Sequence, residues 1–398
     1  MIRLSKMAAA VQPSATLAAG ARAKQLQAEG VAVFDFSLGE PDFPTPEHIC
    51  AAAVRAMQQG QTRYTPAAGT PKLRAAVADF YRKTYGLACA PEQVVVSNGA
   101  KHSLHNALAA TVGPGDEVII PTPYWVSYSD LVQMTGATAV LVPTTLESGF
   151  KMSPEQLRRA LTPRSRLLML NSPSNPTGSV YTRRELEALA DVVLGHGDLA
   201  VLSDEIYEKL VFGEAQATCF ATLRPQLPER TITVSGASKT YAMTGWRVGW
   251  AVAPKHVSKA MGDVQSQQTG CPCSVSQAAA LAALEGDQTC VERMRQEFQA
   301  RRDLVCRRLA AMPGVRCPVP EGAFYAFFDV SAHFGRTIAG QTIRDSASFC
   351  AAALATAHVN IVPGSAFGGE GSVRLSYAAA REQLNGGLDR LERWLAEA

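Results

Sequence analysis

The sequence predicts an α/β fold, with a large domain on a mostly parallel, helix-covered sheet and a smaller α+β unit beside it. Two observations carry this. First, short apolar segments at 94–96, 117–120, 138–141, 167–170, 199–202 and 231–234 alternate with amphipathic stretches such as 100–111 and 182–194. Runs apolar at consecutive positions suit strands buried on both faces, and their alternation with helices suits parallel crossovers. Second, the pattern changes after a long charged helix at 288–309, whose arginines read as a solvated face. Strands follow at 323–328 and 372–376, with a helix at 345–357 between them and an amphipathic helix from 381 onward. The stretch 13–36 precedes the sheet pattern and is expected to join this second unit. The division is therefore 46–305 for the large domain, with 1–45 and 306–398 forming the small one.

A chain of 398 residues, 47% hydrophobic and 18% charged, is globular and long enough for two cores. The 38 basic and 35 acidic residues leave a net charge of +3, too weak a field to draw nucleic acid or a membrane surface. An anionic ligand must therefore be gripped locally. The nine cysteines are scattered and odd in number, which does not suit a disulfide framework. They are expected to be reduced and mostly buried, in a cytoplasmic protein. No run of 18 apolar residues occurs, and Gln12-Pro13-Ser14 interrupts the N-terminal stretch before a signal-type apolar region develops.

The chemistry concentrates at the ends of the apolar segments, where parallel sheets bind ligands. Lys239 follows 231–234 in a run of small residues, Ser235-Gly236-Ala237-Ser238-Lys239-Thr240, and Arg247 comes eight positions later. A lysine held in a tight turn can form a Schiff base with an aldehyde, and an arginine just beyond can hold a phosphate through two parallel hydrogen bonds. Pyridoxal phosphate carries both groups. An ordinary surface loop with two cations is the plainer alternative, and the small-residue crowding argues against it.

Other segment ends add to this. Asp204 closes one strand and Tyr207 follows. The pair could serve a protonated ring nitrogen and a ring oxygen, or simply cap a helix. Two X-Pro steps around Asn175 fix its amide for a similar oxygen, or make only a turn. Gly99 and Ala100 open a helix whose backbone N–H groups could approach a phosphate. Lys101 beside them reads as a surface lysine, and Trp125 as core packing or as an indole stacked on a ring. Tyr64 lies in a turn-rich segment, where packing is its default role. Arg374 sits inside an apolar strand and needs an anion, either a structural carboxylate or a substrate's.

Together these segments resemble the class I, fold-type-I pyridoxal-phosphate-dependent aminotransferases, closest to the bacterial-type aspartate aminotransferases. The resemblance runs from Pro13-Ser14-Ala15-Thr16 to Arg374-Leu375-Ser376-Tyr377 and implies a seven-stranded sheet. It implies Lys239 as the Schiff-base lysine and proton shuttle between substrate Cα and cofactor C4′. It gives Asp204 the ring nitrogen, Asn175 and Tyr207 the ring oxygen, and Trp125 the ring face. Arg247 with the amides of Gly99 and Ala100 would bind the phosphate. Tyr64 would reach the phosphate in a neighbouring subunit, which implies a homodimer with shared sites. Gly39 and Arg374 would bind the substrate α-carboxylate and Lys101 the distal carboxylate, favouring aspartate, glutamate and their 2-oxo acids. Relatives that also transaminate prephenate tend to carry a lysine just before the Pro13-Ser14 pair; Gln12 stands there and speaks against prephenate. The activity expected is ping-pong aspartate:2-oxoglutarate transamination. Alternatives are another amino donor (aromatic, alanine, prephenate or glutamate), a lyase on the same scaffold, or a ligand-sensing regulator. The last would need a DNA-binding domain for which no room exists before Pro13.

Overall fold

The computed structural model describes residues 2–11 and 15–397. The described strands are, in order, β1 (Phe34–Asp35), β2 (Val94–Ser97), β3 (Glu117–Thr122), β4 (Thr138–Pro143), β5 (Ser165–Asn171), β6 (Ala200–Asp204) and β7 (Thr231–Gly236). They continue with β8 (Gly249–Val252), β9 (Tyr325–Asp329), β10 (Thr337–Ile338), β11 (Gln341–Thr342), β12 (Val359–Asn360), β13 (Val362–Pro363) and β14 (Ser372–Ser376).

The large sheet has seven strands in the order β2-β8-β7-β6-β5-β3-β4. All six predicted segments are in it. The seventh strand, β8, has only four residues and is separated from β7 by single helical turns, Ala237–Thr240 and Thr244–Trp246, too short to give a strand–helix alternation to read. It pairs antiparallel with both β2 and β7, and the other neighbouring pairs run parallel. Six strands therefore end on one edge, and β8 begins on that same edge.

Consecutive apolar residues are explained by burial on both faces. Val118, Ile120, Leu167, Met169 and Leu202 pack on one side, with the helices Ala100–Thr111 and Ser127–Met134. Their neighbours Ile119, Leu168, Leu170 and Val201 pack on the other, with the helix Arg183–Gly195. Side chains alternate across a strand, so only a run apolar at every position can fill both layers.

The smaller unit is built on the antiparallel sheet β13-β14-β9, and β1 pairs parallel with β12. Its core gathers Phe36, Phe298, Phe324, Phe328, Val373 and Leu375. The helix Thr289–Ala310 contributes Met294, Phe298, Val305 and Leu309 to that core, so residues 305 and 306 lie within one continuous helix.

Two expectations need correction. The arginines of that helix do not form one solvated face. Arg301 is buried, bonded to Asp42 at 2.7 Å and Glu297 at 2.9 Å, with its guanidinium 5.0 Å from the Phe43 ring centre. Nor are the cysteines mostly buried. All nine are free, but only Cys219, Cys306 and Cys350 are buried, and Cys273 is exposed. Among the described residues no helix is long and apolar enough to cross a membrane.

Candidate active site

A cavity of about 410 Å³ opens at the shared strand edge, between the large sheet and the smaller unit. Gly39, Ala100, Lys101, Trp125, Asn175, Asp204, Tyr207, Lys239, Arg247 and Arg374 all line it. Gly99 stands directly behind Arg247. Tyr64 does not reach this cavity and is 97% exposed. Gln12 and the Pro13-Ser14 pair lie outside the described residues.

Lys239 sits in the one-turn helix Ala237–Thr240 at the end of β7. Its Nζ donates to the Gly39 carbonyl at 2.5 Å. Burial penalises the ammonium and brings its pKa down to about 8; Glu40 opposes that shift, and Arg247 and Arg374 add to it. Gly236 before it has no room for a side chain, because a Cβ there would stand 2.8 Å from the Gly249 Cα. Small residues in the run thus let β7 and β8 close up under the lysine.

Asp204 ends β6 on the same side of the sheet as Leu202, so it faces the helix that carries Tyr128. Tyr128 donates to its Oδ2 at 2.6 Å and the Ile206 N–H to its Oδ1 at 3.2 Å. Burial outweighs both bonds and lifts the carboxyl pKa to about 6. Asn171, at the end of β5, donates to the Asp204 carbonyl at 2.9 Å and accepts the Asn175 N–H at 2.8 Å, tying two strand ends together.

The start of β8 explains Arg247. Its strand begins on the edge where β2 and β7 end, so Arg247, two residues before β8, comes to lie against Gly99 and near Lys239. Arg247 has φ 51°, donates to the Thr244 carbonyl at 2.7 Å, and lies against Gly99. A Cβ on Gly99, whose φ is 86°, would overlap the guanidinium, so glycine is required. The helix Ala100–Thr111 starts beside it with unpaired N–H groups. Lys101 lies 4.8 Å from the Trp125 ring centre, and burial with Arg247 nearby lowers its pKa.

Arg374 is delivered by strand alternation. Val373 and Leu375 enter the core of the smaller unit, so Arg374 between them faces the cavity. It is 1% exposed. It donates to the Asn175 Oδ1 at 3.0 Å and the Ser37 carbonyl at 2.6 Å, and among the described residues its Nε has no partner. Among the described residues, no ion pair involves Lys101, Asp204, Lys239, Arg247 or Arg374. A cavity with four cations and two carboxylates, Asp204 and Glu40, thus keeps its charges free of each other.

The sequence reading missed Tyr128, Ser238, Thr244 and Tyr325, all of which line the cavity. Tyr128 and Tyr325 are aromatic residues in apolar surroundings and carry no signal apart from a hydroxyl that burial obliges to find a partner.

The chain matches the family described as aminotransferase class I and II over residues 31–391. It is 47% identical to the aspartate/prephenate aminotransferase of Cereibacter sphaeroides, across 100% of this chain and 99% of that one. The aspartate aminotransferase structure from Rhizobium meliloti matches with a TM-score of 0.97 at 43% identity, over 100% of both chains. The aspartate aminotransferase from Thermus thermophilus with maleate matches with a TM-score of 0.93 at 43% identity, over 99% of this chain and 100% of that one. With the match running through both sheets and every cavity-lining position, the chain belongs to the aminotransferase class I and II family, enzymes that use pyridoxal phosphate.

Proposed function

We propose that the chain is an aspartate:2-oxoglutarate aminotransferase with a ping-pong mechanism, holding pyridoxal phosphate in the cavity at the strand edge. One observation carries the reading. Arg374 is buried, and among the described residues it bonds only to neutral oxygens and leaves its Nε–H without a partner. A guanidinium in that state is set to receive a carboxylate with two parallel bonds. The remaining residues fit the cofactor. Asp204, a buried carboxylate without a cation, suits a protonated ring nitrogen. Arg247, Gly99 and Ala100 suit the phosphate, since a cation and a helix N-terminus converge there. Tyr207 and Asn175 suit the ring oxygen and Trp125 the ring face.

Pyridoxal phosphate, when bound, supplies an aldehyde that captures amines and a protonated ring that takes up the electron pair left at an amino acid's Cα. Lys239 holds the cofactor between turnovers and then moves the proton at the substrate Cα. With a pKa of about 8 the amine is uncharged in a useful share at working pH and can accept it. Asp204 keeps its charge opposite the ring nitrogen. Arg374 and Gly39 orient the α-carboxylate so that the Cα–H faces Lys239. Lys101 takes the distal carboxylate. The Thermus thermophilus relative, solved with maleate, a dicarboxylate, supports that last assignment.

Tyr64, exposed on the single chain, is proposed to complete the phosphate site of a second copy, giving a homodimer; sedimentation as a monomer of 42.4 kDa would overturn this. The division 1–45 plus 306–398 against 46–305 is proposed for the domains, to be checked by limited proteolysis, and the cytoplasm for the compartment, to be checked by fractionation. A second reading adds prephenate, which the name of the Cereibacter sphaeroides relative includes; Gln12 argues against it.

The test is a panel of single amino acids, prephenate's amino product included, mixed with the loaded protein and followed by absorbance. Aspartate and glutamate are expected to convert it fastest. Alanine or phenylalanine ahead of both would overturn the aspartate reading, and no conversion by any amino acid would overturn the activity.

A further inference from the structure

We infer that Tyr325 is a positioning residue for the reaction, one that acts through Tyr207 and ties it to the substrate-carboxylate end of the cavity. The inference rests on the reading above that Tyr207 serves the cofactor's ring oxygen.

Tyr325 is 0% exposed, at the first position of β9. Its hydroxyl lies 2.9 Å from that of Tyr207, and the two rings meet edge to face at 5.9 Å and 85°. Among the described residues no other group bonds that hydroxyl. Its ring faces the Arg374 guanidinium at 4.6 Å. On a third side, a Cβ added to Gly39 would stand 2.7 Å from the Tyr325 oxygen, so Gly39 must be glycine for the phenol to occupy its place. Gly39 in turn accepts the Lys239 amine. One buried phenol therefore touches Tyr207, to which the family resemblance gives the ring oxygen, and both Arg374 and Gly39, to which it gives the substrate α-carboxylate.

Hydrogen-bond counting fixes the direction. A tyrosine hydroxyl has one proton and can accept as well as donate. When Tyr207 gives its proton to an anionic ring oxygen, the bond between the two phenols survives only if Tyr325 donates. A donor that is itself hydrogen-bonded from behind is polarised and binds the anion more strongly. Burial keeps both phenols protonated far above working pH, so the relay does not titrate. A residue serving only as core would be indifferent to the loss of its hydroxyl's direction, whereas this one sets how strongly the ring oxygen's negative charge is held.

Tyr325→Phe keeps the ring against Arg374 and removes only the donor. The readout is the pH midpoint of the bound cofactor's absorbance change, with the thermal midpoint of each variant as a folding control. Tyr207→Phe should raise the absorbance midpoint by about 1 unit, as for one charge-assisted bond. Tyr325→Phe should raise it by about 0.1–0.3 unit, since one bond strengthens the next by roughly 10–30%. The double variant should match Tyr207→Phe alone, and KM for aspartate should stay within about twofold in Tyr325→Phe because the stacked ring remains. A shift from Tyr325→Phe that persists in the Tyr207→Phe background overturns the relay, as does no shift beside a normal Tyr207→Phe response. No shift in Tyr207→Phe itself overturns the underlying assignment instead.

Discussion

Lys239 and Asp204 stand at the ends of strands of the large sheet, whereas Arg374 stands in the middle of a strand of the small one. The two placements have different physical origins. At a strand end the backbone leaves the sheet, and a side chain can point along the strand into the crevice beyond it. Such positions are surrounded by turn formers and small residues, because neighbouring chains crowd there. In mid-strand nothing in the backbone marks a functional residue. Arg374 is marked only by chemical mismatch, a cation between Val373 and Leu375. On the proposed reading the first kind of residue serves the cofactor and the second the substrate carboxylate, so the two halves of the site should fail differently.

The sharpest break is at the strand end. Lys239→Ala should lose the covalent chromophore and at least about 10³-fold in turnover, the range of a lost proton-transfer group. An unchanged visible spectrum would remove the lysine from its role. Next comes the mid-strand cation. Arg374→Ala should lower kcat/KM by ~3 kcal/mol for aspartate and alanine alike, because every amino acid presents the same α-carboxylate. Lys101→Ala should cost ~1–3 kcal/mol for aspartate and glutamate only. Equal loss with alanine would take Lys101 out of substrate selection. The smallest effect is one of pH. In cofactor-free protein, the rate at which added pyridoxal phosphate is captured should rise through pH about 8, because burial disfavours the charged amine. A rise centred near the ordinary value of 10.5 would mean that the lysine is solvated.

Tyr128 and Tyr325 show where the sequence reading stopped. Both are aromatic residues in apolar segments, and the residue order is the same whether their hydroxyls bond a catalytic carboxylate, another phenol or a carbonyl. Arg301 shows the converse. It belongs to a charged helix whose cations read as solvated, yet its guanidinium is buried and bonded to Asp42 and Glu297, which are themselves partly exposed. Neither case is visible without knowing which distant segments pack together. The strand β8 was missed for a related reason: it is short, and its antiparallel place between β2 and β7 is decided by pairing partners far away in the chain.

The sequence by itself determined the local features. Apolar runs specified strands buried on both faces, the small residues around Lys239 specified a tight turn, and the mismatch at Arg374 marked a cation inside an apolar strand. Each of these follows from neighbours within a few residues, whose sterics and alternation act over short range. Only the tertiary structure decided which charges stay unpaired, which phenol stands behind Tyr207, and that Arg247 arrives against Gly99 and near Lys239. Those outcomes depend on contacts between segments up to 337 residues apart, such as Arg374 with the Ser37 carbonyl, and burial converts such contacts into shifted proton affinities and a directed hydrogen bond.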